Sequence, residues 1–127
     1  MRWKFGRYNS GMPDAPLRIA ALPSAIPGRR VLKLEGPLIL SNFFEFQNLV
    51  RANHAASLIV DLSAVPYIDS AGIGSLVNGY VSHQNAGKTL SLAGVTDRVR
   101  TSLRIANVEQ FFSIYSSVAE AEQGAGK

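Results

Sequence analysis

The chain has no cysteine, only two histidines and a single tryptophan among its 127 residues. Without cysteine there can be no disulfide scaffold and no thiolate chemistry, and the lack suits a reducing compartment. With His54 and His83 as the only imidazoles, a metal site would have to be built mostly from carboxylates. No apolar run approaches the ~18 residues needed to cross a bilayer. The opening residues, MRWKFGRYNSGMP, lack the continuous apolar stretch of a secretory signal. A Gly-Lys-Ser/Thr sequence is absent throughout, which removes the phosphate-loop NTPases. These absences lead us to expect a soluble, cytoplasmic protein with no membrane insertion, no metal and no cofactor.

What is present suffices for one packed domain. Hydrophobic residues make up 46% and charged residues 17% of the chain, enough to build a core and too apolar for wholesale disorder. The net charge of +4 is unevenly placed. Residues 1–30 carry six basic and one acidic side chain, a balance of +5; residues 31–127 carry seven and eight, a balance of −1. The excess belongs to the N-terminal segment, where MRWKFGRY interleaves Arg2, Lys4 and Arg7 with Trp3, Phe5 and Tyr8. Such a mixture can contact anionic surfaces. It also suits a loose arm or a strand added to a sheet edge, and termini are often untethered.

Periodicity divides the rest. LRIAAL (17–22) and RVLKLEG (30–36) read as strands around the Pro27-Gly28 turn, and Pro37 ends the second ladder. SNFFEFQNLVRANHAA (41–56) reads as a helix with Asn42 and Glu45 in capping-box spacing and Phe43, Phe46, Leu49 and Val50 on one face. SLIVDLSAV (57–65) is short, apolar and β-branched, as a buried strand is. A second helix is expected over 70–85, with Gly79 weakening it unless a neighbour packs there. KTLSLAGV (88–95) is a strand, Asp97 caps a short helix bearing Val99 and Leu103, and FFSIYSS (111–117) is the last strand. Ser117 and Glu120 again have capping-box spacing before a final helix. The order β-β-α-β-α-β-α-β-α argues an α/β domain with a mixed, mostly parallel sheet of about five strands and about four helices.

The most informative stretch is VPYIDSAGIGSL, residues 65–76. It sits at the carboxyl end of the buried strand, where ligands and partners of such sheets meet the loops. Ser70 is not placed as a hydrolase nucleophile. The elbow G-x-S-x-G would need glycine at Ile68, and His83, thirteen residues along the same helix, is about 20 Å away at 1.5 Å per residue. Gly72-Ile73-Gly74 begins like a dinucleotide fingerprint, but its third position is Val77 and no acid ends the next strand. A purely structural reading remains, in which Asp69 or Ser70 caps the helix and the glycines permit close packing.

With these residues in view, LIVDLSAVPYIDSAGIGSLVNGY resembles the STAS domain family, specifically the bacterial anti-sigma-factor antagonists. The turn that carries the resemblance is Asp69-Ser70-Ala71-Gly72-Ile73-Gly74. The resemblance divides the chain into an N-terminal basic arm (1–16, loose), a STAS domain (17–122) and a frayed tail (123–127). It implies a non-catalytic regulator of transcription that acts by partner switching. On this pattern an anti-sigma factor with serine-kinase activity phosphorylates Ser70, which ends binding, and a serine phosphatase restores it. The implied contact surface is Asp69, Ser70, Ala71, Gly72, Ile73 and Gly74, with Leu38, Ile39 and Leu40 as an apolar anchor or as core. A monomer or weak dimer without direct nucleic-acid binding is expected. Two departures stand out: Ala71 replaces a hydroxyl residue common in the family, and Pro37-Leu38-Ile39-Leu40-Ser41 is apolar where an acid is common. A second outcome consistent with the resemblance is a STAS structural subunit of a lipid-transport ATPase complex without a phosphoswitch.

The arm yields a first prediction. A chain starting at Ala15 should unfold within about 2 kcal/mol of the full chain, because unpacked surface segments contribute little. Thermal and urea melts of both chains check this; a larger loss would make the arm an integral strand.

Overall fold

The computed structural model describes residues 16–124. The expected arm therefore lies, apart from Pro16, outside the described residues, as do residues 125–127 of the expected tail. The elements are β1 (Arg18–Pro23), β2 (Arg29–Glu35), α1 (Phe43–Arg51), β3 (Ser57–Ala64), α2 (Ser70–Asn85), β4 (Thr89–Ala93), α3 (Asp97–Ile105), a 3₁₀ turn (Glu109–Phe111), β5 (Ile114–Tyr115) and α4 (Val118–Gly124). The strands form one five-stranded sheet in sequential order, β1-β2-β3-β4-β5. The β1–β2 pair is antiparallel and every other pair is parallel, so the expected mixed α/β sheet is the one observed.

Both faces of β3 are covered, which explains its near-continuous apolar sequence. Leu58, Ile59, Val60 and Leu62 are all fully buried. Leu58, Val60 and Leu62 share one core with Leu32, Leu34, Leu90 and Leu92, roofed by Phe46 and Val50 of α1, Leu76 of α2 and Val99 and Leu103 of α3. The opposite face is smaller: Val31, Ile59 and Ala93 lie beneath Ala121 of α4. Gly79 has the close neighbour its sequence position calls for. A β-carbon there would stand 3.0 Å from Val50 Cγ1 and 3.2 Å from Leu90 Cδ1, so glycine lets α1 and β4 press against α2.

Several expected boundaries move, each for a local reason. Helix α1 is shorter than residues 41–56, and Asn42 does not cap it. The Asn42 side chain turns back instead, accepting from Ile39 N–H at 2.9 Å and donating to Pro37 C=O at 2.9 Å. Thr96, not Asp97, caps α3 by accepting from Val99 N–H, and its hydroxyl donates to Val65 C=O at 3.3 Å. The strand expected over 111–117 reduces to two residues. Phe111 ends a 3₁₀ turn and Phe112 turns into the core, so only Ile114 and Tyr115 align with Leu92 and Ala93. The Ser117–Glu120 pairing does open α4, with Glu120 N–H donating to Ser117 Oγ at 3.1 Å. Helix α4 then runs through Gly124, two residues beyond the domain end expected at 122.

At the amino end of the parallel strands, a buried polar cluster ties α1, α2 and β4 together. His83 is 4% exposed and Asn53 is 6% exposed, so their polar atoms need partners within the protein. His83 Nδ1–H donates to Gly79 C=O at 3.0 Å, and Nε2 accepts from Asn53 Nδ2 at 3.0 Å. Lys88 Nζ donates to Asn53 C=O at 3.2 Å. This arrangement requires a neutral imidazole. Burial, chiefly, holds the His83 pKa below the ordinary imidazole value of 6.5; the Gly79 hydrogen bond opposes the shift and the Lys88 charge adds to it. The unfolded chain therefore binds a proton at a higher pH than the folded one. Stability from this group is complete above about pH 6.5 and falls as pH drops below it. We expect the urea midpoint of the wild type to drop between pH 7.5 and pH 5.5, and His83→Gln, less stable at pH 7.5, to lack that part of the drop.

Candidate functional site

The loops at the carboxyl ends of β2, β3 and β4 converge on the first turn of α2. Asp69 joins the first two of these, the β2–α1 loop and the β3–α2 turn. It precedes the helix in extended conformation, and its Oδ1 accepts from Gly72 N–H at 3.0 Å, which makes Asp69 the N-cap. Its Oδ2 accepts from Leu40 N–H at 3.0 Å, in the loop between β2 and α1. One carboxylate thus satisfies a helix-end donor and a loop donor at once. The two loops are further paired: Leu38 bridges Ile68, and Leu38 N–H donates to Tyr67 C=O at 3.3 Å.

Ser70 is the first residue of α2 and is exposed. Among the described residues its side chain has no hydrogen-bond partner, and none accepts from the N–H groups of Ser70 or Ala71. Asp69 does the capping and Ser70 is left presented. On the far side, Arg98 of α3 lies over the Tyr67 ring, 5.0 Å from its centroid. His83 is held by Gly79 and Asn53, so neither its distance nor its hydrogen bonds make it a base for Ser70.

The two motif glycines do different work. Gly72 is buried, and a β-carbon there would collide with the Leu38 carbonyl oxygen. It is the contact that seats the β2–α1 loop on α2. Gly74 is exposed, with nothing within 4 Å of its would-be β-carbon. Ala71, before Gly72, and Ile73, between the two glycines, are partly buried. The apolar loop also divides. Leu38 is 0% and Ile39 7% exposed, both in the core, whereas Leu40 is 69% exposed. Of the three residues expected as an anchor or as core, Leu38 and Ile39 are core and Leu40 reaches the surface. Sequence reasoning passed over Phe44, which is 65% exposed one turn beyond Leu40. The available signal was its position off the face formed by Phe43, Phe46, Leu49 and Val50.

No group of three or more metal-ligating side chains lies together among the described residues, and no described helix is long and apolar enough to cross a membrane.

Comparison with known proteins gives a consistent family. The STAS domain family model matches residues 22–121. A STAS-domain containing protein of Pseudomonas aeruginosa (strain UCBPP-PA14) is 30% identical over 102 residues, covering 77% of this chain and 99% of that protein. In structure, the chain is similar to an anti-sigma factor antagonist from Mycobacterium paratuberculosis, with a TM-score of 0.76 at 16% identity over 85% of this chain and 92% of the other. It is also similar to a sulfate transporter family protein from Wolinella succinogenes, with a TM-score of 0.69 at 20% identity over 77% of this chain and 85% of the other. At such identities the structural likeness is one of fold.

The contrast between the glycines gives a prediction. Gly74→Ala should raise stability by about 0.5–1 kcal/mol, the ordinary gain of alanine over glycine within a helix. Gly72→Ala should lower it by about 1–3 kcal/mol, because the Leu38 backbone must move aside. Urea unfolding of both variants checks the pair; equal effects would mean that the loop is not seated on Gly72.

Proposed function

The chain belongs to the STAS domain family, and from that premise we propose that it is a non-catalytic anti-sigma-factor antagonist switched by phosphorylation of Ser70. The observation that carries this reading is the division of labour at the start of α2. Asp69 holds the cap and the neighbouring loop, so Ser70 is free to be modified without cost to the fold. Asp69, Ser70, Ala71, Gly72, Ile73 and Gly74 form the partner-facing turn, with Leu40 beside it. The partner is an anti-sigma factor with serine-kinase activity, and a phosphatase reverses the mark. The solved antagonist from Mycobacterium paratuberculosis has the same fold, which is compatible with this assignment.

The physical chemistry of the switch is local. A phosphoserine brings about −1.5 to −2 charges at neutral pH. At the first residue of a sixteen-residue helix it meets the positive end of the dipole and the N–H groups of Ser70 and Ala71. The domain can therefore accept the group. A partner pressed on the same turn cannot, because it would have to desolvate that dianion beside the Asp69 carboxylate. Binding is lost at the interface and no internal rearrangement is needed.

Cleavage at Arg51 and Lys88 releases a peptide with five serines, Ser57, Ser63, Ser70, Ser75 and Ser82, of which Ser57 and Ser75 are buried. Mass spectrometry of the protein from its own cells should place a phosphate on Ser70 and not on exposed Ser63 or Ser82. Ser70→Ala should bind the anti-sigma factor normally and change stability by under about 0.5 kcal/mol, since Asp69 is the cap. Ser70→Asp should stay folded and lose about a hundredfold in affinity, equivalent to about 3 kcal/mol. Calorimetric titration beside thermal melts decides this, and wild-type affinity in a folded Ser70→Asp overturns the reading. An unmodified Ser70 in a protein that co-purifies with a transport ATPase would favour the subunit alternative.

A further inference from the structure

We propose that the exposed Leu40–Phe44 patch beside Ser70 is a docking site for the chain's own N-terminal segment, residues 1–15. The patch is built by the turn that opens α1. Phe43 N–H donates to Ile39 C=O at 2.9 Å, which makes that turn helical. Leu40 and Phe44, four residues apart, then fall on one side of it. They are 69% and 65% exposed, and the Phe44 ring is stacked on Phe43, with centroids 4.3 Å apart, so it is held in place. A preformed pair of large apolar side chains in water is a surface that gains by being covered.

Where the chain enters the domain decides what covers it. Strand β1 runs antiparallel to β2, and Arg18 pairs with Glu35, so the chain enters at the carboxyl end of the sheet. Pro16 is the last residue before it. Gly36 adopts φ +108°, and a β-carbon there would stand 2.5 Å from the Pro16 carbonyl oxygen. The entry point is thus packed on the first residue of the same loop that carries Leu40. From Pro16 to Trp3 is thirteen residues, a root-mean-square span of about 20 Å for a coil and about 45 Å at full extension. The four residues from Gly36 to Leu40 are within that reach. A tether of this length gives an effective concentration of order millimolar, so even weak docking is populated.

The chemistry of the segment matches the patch. Trp3, Phe5 and Tyr8 alternate with Arg2, Lys4 and Arg7. The aromatic rings suit Leu40 and Phe44, and the cations suit the acids next to them: exposed Glu45, which follows Phe44, and Asp69, which is bound to Leu40 N–H. Docking there places the arm against the loop whose Leu40 N–H is bound by Asp69, one residue from Ser70. An anti-sigma factor would have to displace it. That consequence rests on the proposed function; the docking itself does not.

Trp3 is the only tryptophan of the chain and so reports on the arm without a label. In the full-length protein its emission should be blue-shifted relative to a synthetic peptide of residues 1–15, and acrylamide quenching should fall at least twofold. Leu40→Ser combined with Phe44→Ser should return both readouts to the peptide values, with circular dichroism and melting unchanged, since both side chains are exposed. Phe44→Ser alone, expected to give a partial return, serves should the double variant misfold. Peptide-like quenching in the wild type overturns the proposal. So does shielding that survives in both variants, which would put the arm elsewhere, such as the outer edge of β1. Shielding that grows with protein concentration assigns the arm to a second copy and also overturns it. A Ser70 that is never phosphorylated leaves all of these readings unchanged, so the two proposals fail separately.

Discussion

The carboxylate of Asp69 holds the functional end of this domain together. Its two oxygens accept from Gly72 N–H in α2 and from Leu40 N–H in the preceding loop. A neutral side chain of the same size would offer one acceptor oxygen where two are used. The bridge fixes where α2 starts, how the β2–α1 loop lies across it, and which atoms are left facing outward. Ser70 is presented because its neighbour has taken over the cap. Gly72 must be a glycine because the bridged loop brings the Leu38 carbonyl down on it. Leu40 is exposed because the same loop commits Leu38 and Ile39 to the core. The turn therefore holds Asp69 in its hydrogen bonds and leaves the Ser70 side chain exposed, the feature on which the proposed switch rests.

The two ends of the sheet are built differently, and that separates stability from recognition. At the amino end of the parallel strands, polar groups are buried and mutually satisfied: His83 between Gly79 and Asn53, and Asn53 clamping Ala55 through both its amide atoms. At the carboxyl end, the polar groups close loops and leave side chains at the surface. Thr96 latches the β4–α3 loop to Val65, and Arg98 covers Tyr67. Further along, Arg100 Nε donates to Glu109 at 2.7 Å and holds that carboxyl below the usual carboxylate range, with Arg104 also contributing. Ser70 and the buried histidine cluster lie at opposite ends of α2.

Much of this was legible in the sequence because it depends on local pattern. The apolar run of 57–65 marks a strand buried on both faces, and burial of both faces is what it has. Helix α2 follows from its periodicity and from Asp69-Ser70 at its head. Gly79 was expected to have a close neighbour and has Val50 and Leu90. The misjudged boundaries share one cause. Asn42, Asp97 and the run 111–117 all satisfied local rules, but competing partners, within the preceding loop for Asn42 and distant in sequence for the other two, used the groups otherwise. Asn42 serves Pro37 and Ile39, Thr96 reaches Val65, and Phe112 is drawn into the core.

The sequence by itself determined the architecture, the family and the turn on which function is argued, because periodicity, capping chemistry and glycine spacing act over a few residues. It left open whether Asp69 or Ser70 caps α2, whether Leu38 and Ile39 face a partner or the core, and what the apolar stretch 37–41 is for. Only the tertiary structure decided these: the cap is read from Asp69 on Gly72, and the lie of the loop from contacts between segments about twenty to thirty-five residues apart. Asp69 meets Leu40, Gly72 meets Leu38, and Pro16 meets Gly36. Such contacts are fixed by how the sheet brings its loops to one end, and no window of sequence contains both partners.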